Sequence, residues 1–215
     1  YMIGSPNSVA NTKLALEAGI TTIGNITQYL TFDYPYWTDI EKTTIETVKA
    51  LGIMVELKGK GALVHSYLDD GWGAQLSDYT SYVGWAMMER YIVEELIGAK
   101  LGHCFGGVIP DIQTRMAIHL ALDEVHGKES IGTMVYGNTV DYSRDLDRNL
   151  ATLSSCVLFD VISQLKNPTG HAIMPVPLTE GIRIPSPEEI VKVQTIAREM
   201  ERKAEEKSLV ELVDW

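Results

Sequence analysis

Short apolar runs alternate with longer amphipathic stretches along this chain, and that rhythm carries most of the structural information. Gly19–Gly24 (GITTIG) predicts a buried strand, being short, β-branched and bounded by glycines. Ile53–Leu57 (IMVEL), Lys100–Phe105 (KLGHCF), Ile131–Tyr136 (IGTMVY) and Gly170–Met174 (GHAIM) predict further strands, and Tyr1–Gly4 reads as the end of another. Helices fill the gaps. Ser8–Ala18 is one, with Asn7 or Ser8 able to cap it. Thr38–Ala50 opens on Thr38-x-x-Glu41, a capping-box pattern. Asp78–Ile97, Asp111–Val125 and Leu146–Leu165 follow. The last helix opens on Ser186-Pro187-Glu188-Glu189, an N-cap with proline at the first helical position, and then turns highly charged, as a solvated face does.

Alternating strand and helix imply parallel strands joined by right-handed crossovers. The expected class is α/β, as a parallel (β/α) TIM-type barrel. Five or six strands are legible where a closed barrel needs about eight, so the barrel is expected to be incomplete at its N-terminal end in this chain. An open doubly wound sheet is the alternative. Residues 1–185 are read as the barrel portion and 186–215 as a charged C-terminal helix packed on it.

Composition narrows the function classes. Hydrophobic residues make up 45% and charged residues 22%, as in an ordinary globular protein. A net charge of −11 argues against a nucleic-acid partner, because phosphates call for a basic patch. No apolar run is long enough to cross a bilayer, and no basic-then-apolar segment opens the chain. A cytoplasmic protein without membrane association is therefore expected. Cys104 and Cys156 sit in apolar contexts without metal-ligand spacing and are read as reduced, buried thiols.

In a barrel, the loops after the strands build the site. On the predicted elements those loops are Gly4–Asn7, Gly24–Tyr29, Lys58–Gly61, Gly106–Gly107, Tyr136–Thr139 and Pro175–Pro185. They are rich in Gly, Asn, Thr and Tyr, which suits a polar organic ligand better than a metal. Tight-turn geometry alone also explains each glycine. Phe32–Trp37 is an aromatic cluster that either plugs a barrel mouth or aims a tyrosine hydroxyl at substrate. Lys58 and Lys60 are candidates for an anion contact or a Schiff base, though the full P-loop pattern is absent. His103 and Cys104 fall at a predicted strand end, and His119 reads as structural within its helix. The histidines have no recognised metal spacing, so no metal is expected. Glu180, before a capped helix, can accept hydrogen bonds from sugar hydroxyls.

The order of these segments resembles the large (epsilon, or E) subunit of glutamate mutase, also called methylaspartate mutase. Gly4-Ser5-Pro6, the helix after it and Ala18-Gly19 are similar to the family's Gly-Thr-Pro helix and following strand. Pro35-Tyr36 with Asp39, Gly102-His103-Cys104 with Ile109-Pro110-Asp111, and Glu180-Gly181-Ile182-Arg183-Ile184-Pro185 carry the rest of the likeness. The resemblance implies a β/α barrel that works with a separate small cobalamin-binding subunit and uses adenosylcobalamin. Cobalt–carbon homolysis there gives a radical that drives a carbon-skeleton rearrangement of a small organic acid, and the barrel excludes water from it.

Carried over residue by residue, Tyr36 matches a substrate tyrosine and Glu180 the glutamate at the adenosyl ribose, and both are the catalytic candidates. Asn138, with Thr139, falls in the loop facing the corrin, and Gly106 and Gly107 are further cofactor-side candidates. Asn25, Phe32, Tyr36, Lys58 and Lys60 are the substrate-side candidates. The departures are specific: Met2 and Ile3 stand where the family has Arg-His, Gly24 replaces a glutamate that meets the substrate amino group, Phe32 replaces a second tyrosine, and Val176 lies near a lost lysine. The resemblance therefore implies a mutase relative with an altered substrate, or a non-catalytic homologous subunit. A cobalamin-independent barrel lyase or aldolase using Lys58 or Lys60 is the alternative enzyme. A homo-oligomer is expected.

Overall fold

A computed structural model describes residues 3–26, 39–70, 75–76, 78–127, 132–169 and 172–212. Its elements are α1 (Ser8–Glu17), β1 (Thr22–Gly24), α2 (Ile40–Leu57), β2 (Leu63–Tyr67), α3 (Tyr79–Arg90), β3 (Leu101–Phe105), α4 (Ile112–His126), β4 (Thr133–Tyr136), α5 (Leu146–Lys166), β5 (Ile173–Met174) and α6 (Pro187–Glu206). A π-helical stretch, Tyr91–Ile97, continues α3 and ends at Gly98, whose φ of 88° only glycine adopts easily.

The chain folds as two compact units, Tyr1–Cys104 with Glu124–Gly132, and Phe105–Asp123 with Thr133–Trp215. In the first, β1 pairs parallel with β2 in the register Ile23↔Val64, and β2 pairs parallel with β3 in the register Val64↔Leu101. In the second, β4 pairs parallel with β5, Val135↔Ile173. Helices intervene between successive strands throughout, so the α/β class with parallel strands is observed.

Each unit has its own core. Ile3, Ile23, Leu51, Met54, Val64 and Leu101 are sealed together in the first. In the second, Leu153, Val157 and Val161 of α5 meet Val193 and Ala204 of α6. Burying a side chain of this kind stabilises by about 1.5–3 kcal/mol.

One predicted strand is helical. Ile53–Leu57 is the last part of α2, whose buried positions Thr47, Ala50, Leu51 and Met54 follow helical spacing through that run. A short apolar run has no period of its own, so the preceding helical pattern absorbs it. The true strand is Leu63–Tyr67, after a single 3-10 turn, Lys58–Lys60, closed by Gly61 at φ 87°. Asp39 caps α2 by accepting from Lys42 N at 2.9 Å; Thr38, the expected cap, lies outside the described residues. The N-cap of α6 is present as expected, Ser186 with Pro187 at the helix start, and Glu189 completes a capping box with it. Among the described residues no helix is long and apolar enough to cross a membrane.

Candidate functional site

The second unit gathers three chain segments that follow strand C-termini: 106–110 after β3, 137–145 after β4, and 175–186 after β5. Specific hydrogen bonds tie them together. Thr139 donates its backbone N–H to Gly107 O at 3.0 Å, joining the first two. Tyr142 donates its hydroxyl to Val176 O at 3.0 Å, joining the second and third. Asn149, fully buried on α5, donates to Ser143 O and Leu178 O at 2.8 Å each and accepts from Ser143 N at 2.9 Å. Burial pushes the Tyr142 phenol up, so it stays a neutral donor.

Gly106, Gly107, Asn138, Thr139 and Glu180 all lie on these segments. Gly106 and Gly107 are buried, and Asn138 is 2% exposed. The Asn138 side chain shapes its own loop, donating to Asp141 Oδ2 at 3.0 Å and accepting from Val140 N at 2.9 Å. Glu180 is exposed, on a turn closed by its own N–H to Pro177 O at 3.0 Å. That turn is anchored onward by Arg183, which donates to Glu189 at 2.8 and 2.9 Å, while Glu189 also accepts from Ser186 N at 2.7 Å. The Arg183 guanidinium and the Ser186 amide hold the Glu189 carboxyl down to about 2.

Beneath these segments lies a buried ion pair that the sequence reading did not single out. Arg115 of α4 is 1% exposed and meets Asp160 of α5 through two bonds, Nε to Oδ1 at 3.1 Å and Nη2 to Oδ2 at 2.6 Å. Burial pushes the Asp160 carboxyl up, and the adjacent guanidinium pulls it back. Both residues fall on inward-facing helical stripes, Ile112-Arg115-Met116-His119 and the more apolar Leu153-Cys156-Val157-Asp160-Val161. A charge on a buried stripe was the available signal.

The first unit holds the other predicted residues. Asn25, at the end of β1, is buried and bridges to the end of β2, accepting from Tyr67 N at 2.8 Å and donating to Asp70 Oδ2 at 2.9 Å. Nearby Asp69 accepts from the Tyr82 hydroxyl at 2.7 Å, and burial with that carboxylate pushes the phenol well above its usual range. Contrary to the sequence expectation, Lys58 and Lys60 do not follow a strand, because Ile53–Leu57 is helical. They are exposed and precede β2, at its N-terminal end, and Lys58 Nζ donates to Gly98 O at 3.1 Å. Phe32 and Tyr36 lie outside the described residues.

His103 is not at a strand end but in the middle of β3, fully buried. Its Nε2 lies 3.1 Å from Glu89 Oε2 and its Nδ1 2.7 Å from His126 Nε2, while Trp85 Nε1 donates to Glu89 Oε1 at 2.9 Å. Among the described residues no group of three or more His, Cys, Asp or Glu side chains is arranged to hold a metal ion. Both cysteines are buried thiols outside any disulfide, and burial pushes the Cys156 thiol up. No protein-family model matches the chain, and no curated protein matches it.

Proposed function

We propose that this chain is a subunit of an adenosylcobalamin-dependent carbon-skeleton mutase of the glutamate mutase kind, acting on a small organic acid with a separate cobalamin-binding subunit. The parallel α/β units are then parts of a (β/α) barrel, and the assembled protein is a cytoplasmic homo-oligomer. The observation that carries the reading is the Thr139–Gly107 bond, which joins Gly106-Gly107 and Asn138-Thr139 on adjoining strand-end loops.

The donor set of these loops is compatible with that cofactor. Gly106, Gly107 and Asn138 are buried under this junction, and the half-buried Thr139 with the exposed Val108 and Val140 would be the part of it open to a flat macrocycle. The exposed Glu180 carboxylate, on the next loop, has the chemistry to accept hydrogen bonds from ribose hydroxyls. When bound, adenosylcobalamin supplies a carbon-centred radical that takes a hydrogen atom from substrate. The protein's own share is to hold the loops in place and keep water out. No proton need be moved by Asn138, whose amide already completes its own turn. The lyase alternative draws no support from Lys58, an exposed amine at the N-terminal end of β2.

The test is reconstitution of the full chain with a small cobalamin-binding subunit of a glutamate mutase and adenosylcobalamin. Complex formation, and a cob(II)alamin signal in electron paramagnetic resonance on adding glutamate or a related acid, are expected. Glu180→Gln is expected to weaken retention of adenosylcobalamin about tenfold, one hydrogen-bonded carboxylate being worth about 1.5–3 kcal/mol. Neither complex nor signal with any dicarboxylic or amino acid tried would rule the reading out.

A further inference from the structure

All five guanidinium N–H groups of Arg115 are engaged. Besides the two bonds to Asp160, Nη1 donates to Gly106 O and, at 3.1 Å, to Ile109 O, and Nη2 donates to Tyr136 O at 2.9 Å. Three of the five therefore end on main-chain carbonyls of the segments after β3 and at the end of β4. Asp160 fixes the plane of the fork, and the fork fixes where those carbonyls sit. Gly106 shows how closely the backbone is drawn in. Its φ is +114°, and a Cβ there would stand 2.6 Å from Tyr136 O and 2.8 Å from Arg115 Nη1. The guanidinium thus occupies the space a side chain at 106 would need. On these same segments Ile109 N donates to Gly106 O at 3.3 Å, and Thr139 N donates to Gly107 O at 3.0 Å.

We propose that Arg115, braced by Asp160, is a positioning residue that sets the spacing of the Gly106-Gly107 and Asn138-Thr139 loops without itself touching ligand. The proposal rests on the functional reading above for what those loops bind. Lysine cannot substitute, because a single ammonium has three donors and no planar fork to reach Asp160 and three carbonyls at once.

Amide hydrogen exchange on the full chain tests it, with Arg115→Lys and, should that variant not fold, Asp160→Asn. The control is Leu153→Ala, which opens the core of the same unit between α5 and α6 without touching the clamp. Exchange at Ile109 and Thr139 is expected to accelerate about tenfold or more in the clamp variants, with α6 amides nearly unchanged, and the control is expected to reverse that pattern. Uniform acceleration across the unit in both variants, or none at Ile109 and Thr139, would overturn the proposal and leave Arg115 a general support of the fold. A second arm titrates adenosylcobalamin into the reconstituted complex. The clamp variants should raise the half-saturating concentration several-fold, and Leu153→Ala should not. If the unaltered chain retains no adenosylcobalamin with the partner subunit, the functional reading fails while the exchange pattern still decides the positioning role.

Discussion

His103 Nδ1 lies 2.7 Å from His126 Nε2 inside the first unit, and the other His103 nitrogen lies 3.1 Å from Glu89. Two imidazole nitrogens at that separation share one proton, so one ring donates and the other accepts. Glu89, 1% exposed, takes a second donor from Trp85. Replacing Glu89 with alanine strips the acceptor from both neighbours. Glu89→Ala is expected to lower stability by about 3 kcal/mol in urea unfolding at neutral pH, and Glu89→Gln, which keeps shape and one acceptor oxygen, by less. An unchanged midpoint in Glu89→Ala would contradict the buried network.

The Arg115–Asp160 pair predicts a strongly non-additive result. Arg115→Met leaves a carboxylate buried without its cation, at an expected loss of about 3–5 kcal/mol. Combining it with Asp160→Leu removes the stranded charge, so the double variant is expected to lose less than the two single losses added together. A double-mutant cycle by chemical denaturation reads this coupling directly, and strict additivity would show that the two side chains do not depend on one another.

Glycine at 106 is required by both its left-handed φ and its neighbours. Gly106→Ala is expected to destabilise by about 3 kcal/mol or more. Gly59, where an added Cβ meets nothing within 4 Å, provides the contrast: Gly59→Ala is expected to stay within about 0.5 kcal/mol. Thermal melts of the two variants side by side measure the difference.

His119 gives a pH dependence. Its Nε2 faces Asn167 O at 3.2 Å, and burial holds the imidazole below its usual range of 6.5, so the folded ring is neutral. The unfolded chain takes up a proton there as pH falls through about 6.5, and the folded chain does so only at lower pH. Stability is therefore full above that value and is lost below it, at up to about 1.4 kcal/mol per pH unit, until the folded ring also protonates. His119→Gln keeps a donor for Asn167 and does not titrate. Its stability is expected to fall less steeply below pH 6.5 than that of the parent, and parallel urea titrations giving identical slopes would exclude the effect.

Much of the element order was legible because helices carry start signals and inward-facing stripes. Ser186 with Pro187 and Glu189 marks the start of α6, and the stripe through Leu153, Cys156, Val157 and Val161 marks the body of α5. β2 was not legible. Leu63–Tyr67 carries His65 and Ser66 in its middle and shows no alternation, while the more apolar Ile53–Leu57 drew the strand assignment to itself. That error carried Lys58 and Lys60 to the wrong end of a strand. The strand-end glycines and Asn138 could be read from turn chemistry alone. Which cation meets which anion across two helices could not, although Arg115 lies between Ile112 and Met116 on an inward-facing stripe and Asp160 interrupts an apolar one.

The close approach of Gly106 to Arg115 constrains how this protein can drift. A lineage that surrenders the guanidinium at 115 strands the acid at 160, yet it gains no freedom at 106, where the backbone twist and the Tyr136 carbonyl still exclude a methyl group. Divergent copies of the gene should therefore change codons 115 and 160 together while 106 stays glycine, and a sequence with a side chain at 106 would mark a chain whose loops follow a different path.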